Sequence, residues 1–173
     1  MKAGRNMAIC ACMVVAALLA GGQAPLVQDP GQPRARAEAV QYLYPEQVTV
    51  PAEKASTVEL HFRVARGLHI NSHDPRDKFL IPTVFSVPEE SGVRLVSADY
   101  PRGAEFVLPA DPTTRLSVFT GEFAIKVRLM AGAGDHLVEA KLRYQACDEA
   151  QCMPPKTITV PIDVVGKSPT GQH

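Results

Sequence analysis

At 173 residues the chain is long enough for one domain with tails. Its 18 basic and 18 acidic side chains cancel, and loss of an N-terminal segment carrying Lys2 and Arg5 would leave 16 against 18. A balance so close to neutral, and slightly acidic, argues against a nucleic-acid partner or an anionic membrane surface.

Lys2 and Arg5 precede an apolar stretch of 14 residues, Met7 to Ala20, and the small residues Gly22 and Ala24 suit a signal peptidase. A spanning helix needs about 20 residues. Residues 1–24 are therefore expected to be an export signal, with membrane contact only through this segment where it stays uncleaved. A lipoprotein signal would need a cysteine just after the small residues, whereas Cys10 and Cys12 lie inside the apolar stretch and leave with it. The remaining chain of about 149 residues would bury roughly 68–70% of its unfolded surface, so it does not need a disulfide merely to fold. Its two remaining cysteines, Cys147 and Cys152, would then sit in the oxidising periplasm or another extracytoplasmic space, where a pair close in sequence tends to meet.

Pro25 to Ala37 is rich in Pro, Gln, Gly and Arg without apolar period, so residues 25–44 read as a flexible linker and lead-in. From there the period is two. Val58, Leu60, Phe62 and Val64 alternate with Glu59, His61 and Arg63; Phe123, Ile125, Val127 and Leu129 alternate with Lys126 and Arg128; Val138, Ala140, Leu142, Tyr144 and Ala146 alternate with Glu139, Lys141, Arg143 and Gln145. Weaker strands are expected at 46–50, 68–71, 83–87, 93–98, 116–119 and 157–165, separated by Arg66-Gly67, Ser91-Gly92, Thr120-Gly121 and the Gly132-Ala133-Gly134 run. Pro161 cannot donate a ladder hydrogen bond, which places the last strand at an edge or gives it a bulge there. Seven to nine short strands with no helical period predict an all-β fold, an immunoglobulin-like antiparallel β-sandwich over residues 45–166, with a tail at 167–173.

The stretch Tyr144-Gln145-Ala146-Cys147-Asp148-Glu149-Ala150-Gln151-Cys152-Met153-Pro154-Pro155 carries the chemistry. Two cysteines five positions apart at a strand end can face each other across a hairpin-like turn, within reach of a disulfide. Such a short loop gives only roughly 2 kcal/mol on the chain-entropy model. Counting parity from Ala146, Cys147 falls on the outward face with Gln145 unless a bulge intervenes, where another protein's thiol could reach it. Two readings stay open: a non-catalytic immunoglobulin-like binding module whose disulfide only pins a hairpin, and a pair that exchanges. Metal binding by both thiolates with His69 and His73 has the wrong cysteine spacing, and no cofactor or metal is expected. Asp148 and Glu149 disfavour a thiolate nearby, although Arg143 and Lys156 offset part of their field. Cys152, flanked by Gln151, Met153 and the rigid Pro154-Pro155, is expected to form the mixed disulfide, with Cys147 resolving it.

This stretch resembles the N-terminal periplasmic domain of the thiol:disulfide interchange protein DsbD. The resemblance continues through Gly67-Leu68-His69-Ile70-Asn71, Leu80-Ile81-Pro82-Thr83, Tyr100-Pro101 with Gly103 and Phe106, and Leu116-Ser117-Val118-Phe119 with Gly121-Glu122, covering about Val48 to Val164. It implies an immunoglobulin-like sandwich whose Cys147/Cys152 pair cycles between dithiol and disulfide. In that family a thioredoxin-like domain supplies the electrons, which pass on to disulfide isomerase or cytochrome c maturation proteins. The partners implied here are thus thioredoxin-like periplasmic redox proteins, as donor and acceptor. The sequence ends after the sandwich, so either electrons are expected from separate proteins or the domain is adapted to another task. The resemblance also implies a cap. Tyr100 to Pro112 is expected to be a loop over the cysteines with Phe106 as its lid, Val107 or Leu108 being alternatives, and His69, Asn71, Tyr144, Met153 and Pro154 complete the cap or docking surface.

Overall fold

The computed structural model describes residues 38–43, 47–109 and 111–168. The expected signal segment, residues 1–24, lies outside them, as do most of the linker and residues 169–173 of the tail. Where period-two alternation is clearest, the strands are longest: β3 (Ser56–Val64), β9 (Glu122–Ala131) and β10 (Gly134–Tyr144). Around them lie β1 (Val40–Leu43), β2 (Gln47–Pro51), β4 (His69–Asn71), β5 (Val84–Ser86), β6 (Val93–Asp99), β7 (Ala104–Leu108), β8 (Asp111–Phe119), β11 (Ala146–Cys147) and β12 (Lys156–Lys167). A single 3-10 turn, Glu89–Ser91, is the one helical element among the described residues.

These strands form three four-stranded sheets, ordered β1-β3-β9-β6, β2-β12-β10-β5 and β11-β4-β8-β7. All pairings are antiparallel except that of β12 with β2. The inward faces of the first two sheets supply the core: Leu60, Phe62, Ile125, Val127 and Leu129 from one, Val138, Ala140, Leu142, Val160 and Ile162 from the other. Each large side chain so buried contributes about 1.5–3 kcal/mol. The fold is an immunoglobulin-like β-sandwich. Turns at Gly67 and Gly121 take φ of +78° and +58°, which a residue without Cβ adopts freely.

Three expectations are corrected here. The lead-in over residues 25–44 is strand at its end, because Val40 to Leu43 pairs with Val64 to His61 along the edge of β3; four residues are too few for their alternation to show against polar flanks. The segment Tyr100 to Pro112 is not a loop but mostly a hairpin. Pro101 and Pro109 flank β7 rather than interrupt it, and Pro112 falls in the irregularity between the Val107↔Arg115 and Leu108↔Asp111 pairs, where no ladder bond is asked of it. Third, Cys147 does not keep outward parity. The chain leaves β10 after Tyr144, and beyond Gln145 it enters the third sheet as β11, where both Ala146 and Cys147 are buried. As for Pro161, β12 is an inner strand, yet its described pairing with β2 begins only at Asp163.

Candidate functional site

The switch of the chain from β10 to β11 builds the site. Ala146 pairs with Ile70 and Cys147 with His69, so β11 caps the free edge of β4 for two residues and then turns back. Cys147 and Cys152 face each other as an isolated antiparallel bridge, joined by a disulfide with Cα atoms 3.9 Å apart. Inside the turn the Asp148 carboxylate accepts the N–H groups of Ala150 (2.8 Å) and Gln151 (2.7 Å), and its own N–H donates to the Gln151 carbonyl (3.0 Å). Those two N–H donors hold the Asp148 carboxyl below the usual carboxylate range. After the second cysteine, the Met153 N–H donates to the Ala146 carbonyl at 2.8 Å and closes the turn.

A polar strut fixes this turn to the sandwich. Buried Asn71 donates from Nδ2 to the Ile81 carbonyl (3.0 Å) and to Gln145 Oε1 (3.3 Å), while Gln145 Nε2 donates to the Met153 carbonyl (3.2 Å). Thr83, also buried, donates its hydroxyl to the Asn71 carbonyl at 2.6 Å. These bonds lie where β10 crosses into β11, so they set the position of the cysteine turn relative to β4.

The two sulfurs occupy unlike environments. Cys147 is 2% exposed, and Cys152 is exposed at the mouth of a groove of about 500 Å³. Leu80, Leu108 and Leu116 give the groove apolar walls, and Arg76 and Arg115 stand at its side, both bound to Glu105 at 3.0 and 2.5 Å. The two guanidiniums hold the Glu105 carboxyl low. His69 lines this groove and also a second hollow of about 520 Å³ that includes Phe106 and Glu149. Its ring is 3% exposed and lies 4.3 Å from that of Phe106. Burial pushes the His69 imidazole below its usual pKa of 6.5, an effect partly opposed by Asp148.

Of the residues singled out from sequence, the structure gathers Cys147, Cys152, His69 and Asn71 around one turn. Half-buried Phe106, on β7, covers His69, while Leu108, the alternative lid, lines the cysteine groove itself. Met153 is half-buried against the core and Pro154 is exposed. Tyr144 is not at a surface: it is 1% exposed within the core. Lys156, expected to offset the acidic turn, is bound to Glu38 at 3.0 Å. Arg76 and Arg115 at the groove and Gln145 behind the turn lie outside the set of site residues expected from sequence. Gln145 carried a signal in its place beside the cysteine motif, whereas the two arginines sit in a loop and on an outward strand position with nothing in their neighbours to mark them.

The family model for the N-terminal domain of the thiol:disulfide interchange protein DsbD matches residues 39–163. Among curated proteins none matches the chain. Among solved structures the chain is similar to the reduced form of the Neisseria meningitidis DsbD N-terminal domain, at 20% identity and a TM-score of 0.44, over 66% of this chain and 82% of that one. With the family model spanning β1 through most of β12 and both cysteines, the chain belongs to the family of DsbD N-terminal domains.

Proposed function

We propose that this chain is an exported thiol–disulfide exchange module, a protein-disulfide reductase component that relays two electrons through Cys147 and Cys152 between thioredoxin-like extracytoplasmic proteins. One observation carries the reading: a disulfide with one buried and one exposed cysteine, the exposed one lining an open groove with apolar walls. A disulfide kept only for stability gains nothing from such an arrangement, and its short loop constrains the unfolded chain weakly.

The asymmetry orders the steps. A partner thiolate attacks Cys152 Sγ; the Cys152–partner bond forms, the Cys147–Cys152 bond breaks, and Cys147 leaves with the electron pair. The partner's second thiolate then attacks its own mixed-disulfide sulfur and frees Cys152, so the partner dithiol is oxidised and this pair reduced. In the other direction Cys152 attacks a partner disulfide and Cys147 resolves. Leu80, Leu108, Leu116 and exposed Pro154 supply the apolar contact for docking.

The reduction potential tests the reading. Structural disulfides in secreted proteins typically lie below about −300 mV, and the expected value is above that. A lower value, together with failure of a Cys147→Ser variant to capture any protein in the native compartment, would establish the pair as a structural staple.

A further inference from the structure

His69 lies directly opposite Cys147 in the β11–β4 pair. Residues so opposed carry their side chains on the same face, with Cβ atoms about 4.5–5.5 Å apart. Both are almost fully buried, at 3% and 2% exposure, and His69 Nε2 has no hydrogen-bond partner among the described residues. A buried polar atom left unpaired is costly and needs an explanation. The redox state provides one: a disulfide sulfur has no proton to share, whereas a reduced Cys147 carries an S–H donor on the residue paired with His69.

We propose that His69 is the proton carrier of Cys147, its Nε2 accepting the thiol proton when the disulfide closes and returning it when the disulfide opens. This rests on the exchange reading above and assigns a role within it. In the closing direction Cys152 is in a mixed disulfide with a partner sulfur. The Cys147 thiol passes its proton to His69 Nε2, and the resulting thiolate attacks Cys152 Sγ. The Cys147–Cys152 bond forms, the bond to the partner breaks, and the partner sulfur leaves with the electron pair. The imidazolium then gives its proton to solvent. Opening is the same sequence reversed.

The surroundings suit this work. A thiolate is expensive in a site as dry as that of Cys147, so its proton needs an acceptor at hand. Phe106 packs 4.3 Å from the imidazole and keeps it dry, which favours the neutral ring able to accept a proton. Charged groups line the two hollows that His69 borders: Asp148 and Glu149 from the cysteine turn, Arg63, Arg66 and Glu122 around one, and Arg76, Asp77 and Arg115 around the groove. Of these, Asp148 favours the protonated ring and so steadies the transient imidazolium.

The test follows closure of the reduced full chain by oxidised glutathione, from about pH 5 to about pH 9, in the native protein and in His69→Gln. In the native chain the closure rate is expected to rise within the imidazole range below 6.5 and then level. In His69→Gln it should be about tenfold to a hundredfold slower at neutral pH and climb until the ordinary thiol range near about 8.5. Superimposable rates and profiles would overturn the proposal; a residue that only packs would shift the melting temperature and leave the profile alone. A second readout needs no variant. The pKa of His69, followed by NMR in the native chain, should differ between disulfide and dithiol forms, and identical values would equally overturn the proposal. Because glutathione replaces the protein partner, a His69-dependent profile without any protein captured through Cys152 would sink the relay reading and leave the role of His69 standing.

Discussion

The rings of Phe106 and His69 lie 4.3 Å apart at 33°, so that a half-buried aromatic on the edge strand β7 covers an imidazole nearly closed to solvent. Phe106 is not among the buried core residues. Phe106→Ala should therefore cost less than the about 3–5 kcal/mol of a core Phe. With the main cause of its shift removed, the His69 pKa should move up toward 6.5, and a small thiol should reduce the disulfide faster. Urea unfolding, NMR titration and a dithiothreitol time course check these. A core-sized stability loss with an unchanged His69 would make Phe106 a packing residue only.

The unequal exposure of the two sulfurs sets the outcome of single-cysteine trapping. Cys147→Ser, which keeps the exposed Cys152, should accumulate mixed disulfides in the native compartment. Cys152→Ser, which keeps a sulfur of 2% exposure, should accumulate few. Mass spectrometry of the non-reduced adducts decides, and the opposite ranking reverses the assignment.

Asn71 joins the Ile81 carbonyl to Gln145 from a fully buried position. Asn71→Ala would leave both acceptors without this donor, at a cost of about 1–3 kcal/mol. Since Gln145 also holds Met153, the cysteine turn should loosen as well. Equilibrium unfolding gives the first effect, and amide exchange at Met153 the second; protection unchanged at Met153 would show that the strut does not govern the turn.

The lowered pKa of His69 gives stability a definite pH dependence. As pH falls below 6.5 the unfolded chain takes up the proton before the folded one does. Stability from this group is thus complete above 6.5 and is lost between 6.5 and the lower folded value, by at most about 1.4 kcal/mol per pH unit. Comparing the oxidised native chain with His69→Gln at several pH values isolates the contribution. Parallel curves through that window would mean that the folded imidazole is not perturbed.

By itself the sequence determined the long strands and the disulfide pair. Alternation through Val58–Val64, Phe123–Leu129 and Val138–Tyr144 sufficed because a half-buried strand repeats every two residues whatever it pairs with. The spacing of Cys147 and Cys152 before Pro154-Pro155 sufficed because the turn that brings them together is local. The tertiary structure alone decided what surrounds them. Parity counted along β10 put Cys147 outside, but the strand changes sheets at Gln145, and a change of sheet resets which side is buried. Val40–Leu43 and Ala104–Leu108 became strands because β3 and β8 offered edges to pair with, a property of their neighbours and not of their own residues. His69 faces Cys147 only through the register of β4 against β11, and Leu80, Arg76 and Arg115 reach the same groove from segments distant in sequence. Local period reports the face of a strand, whereas contacts between distant segments depend on how the sheets pair and pack.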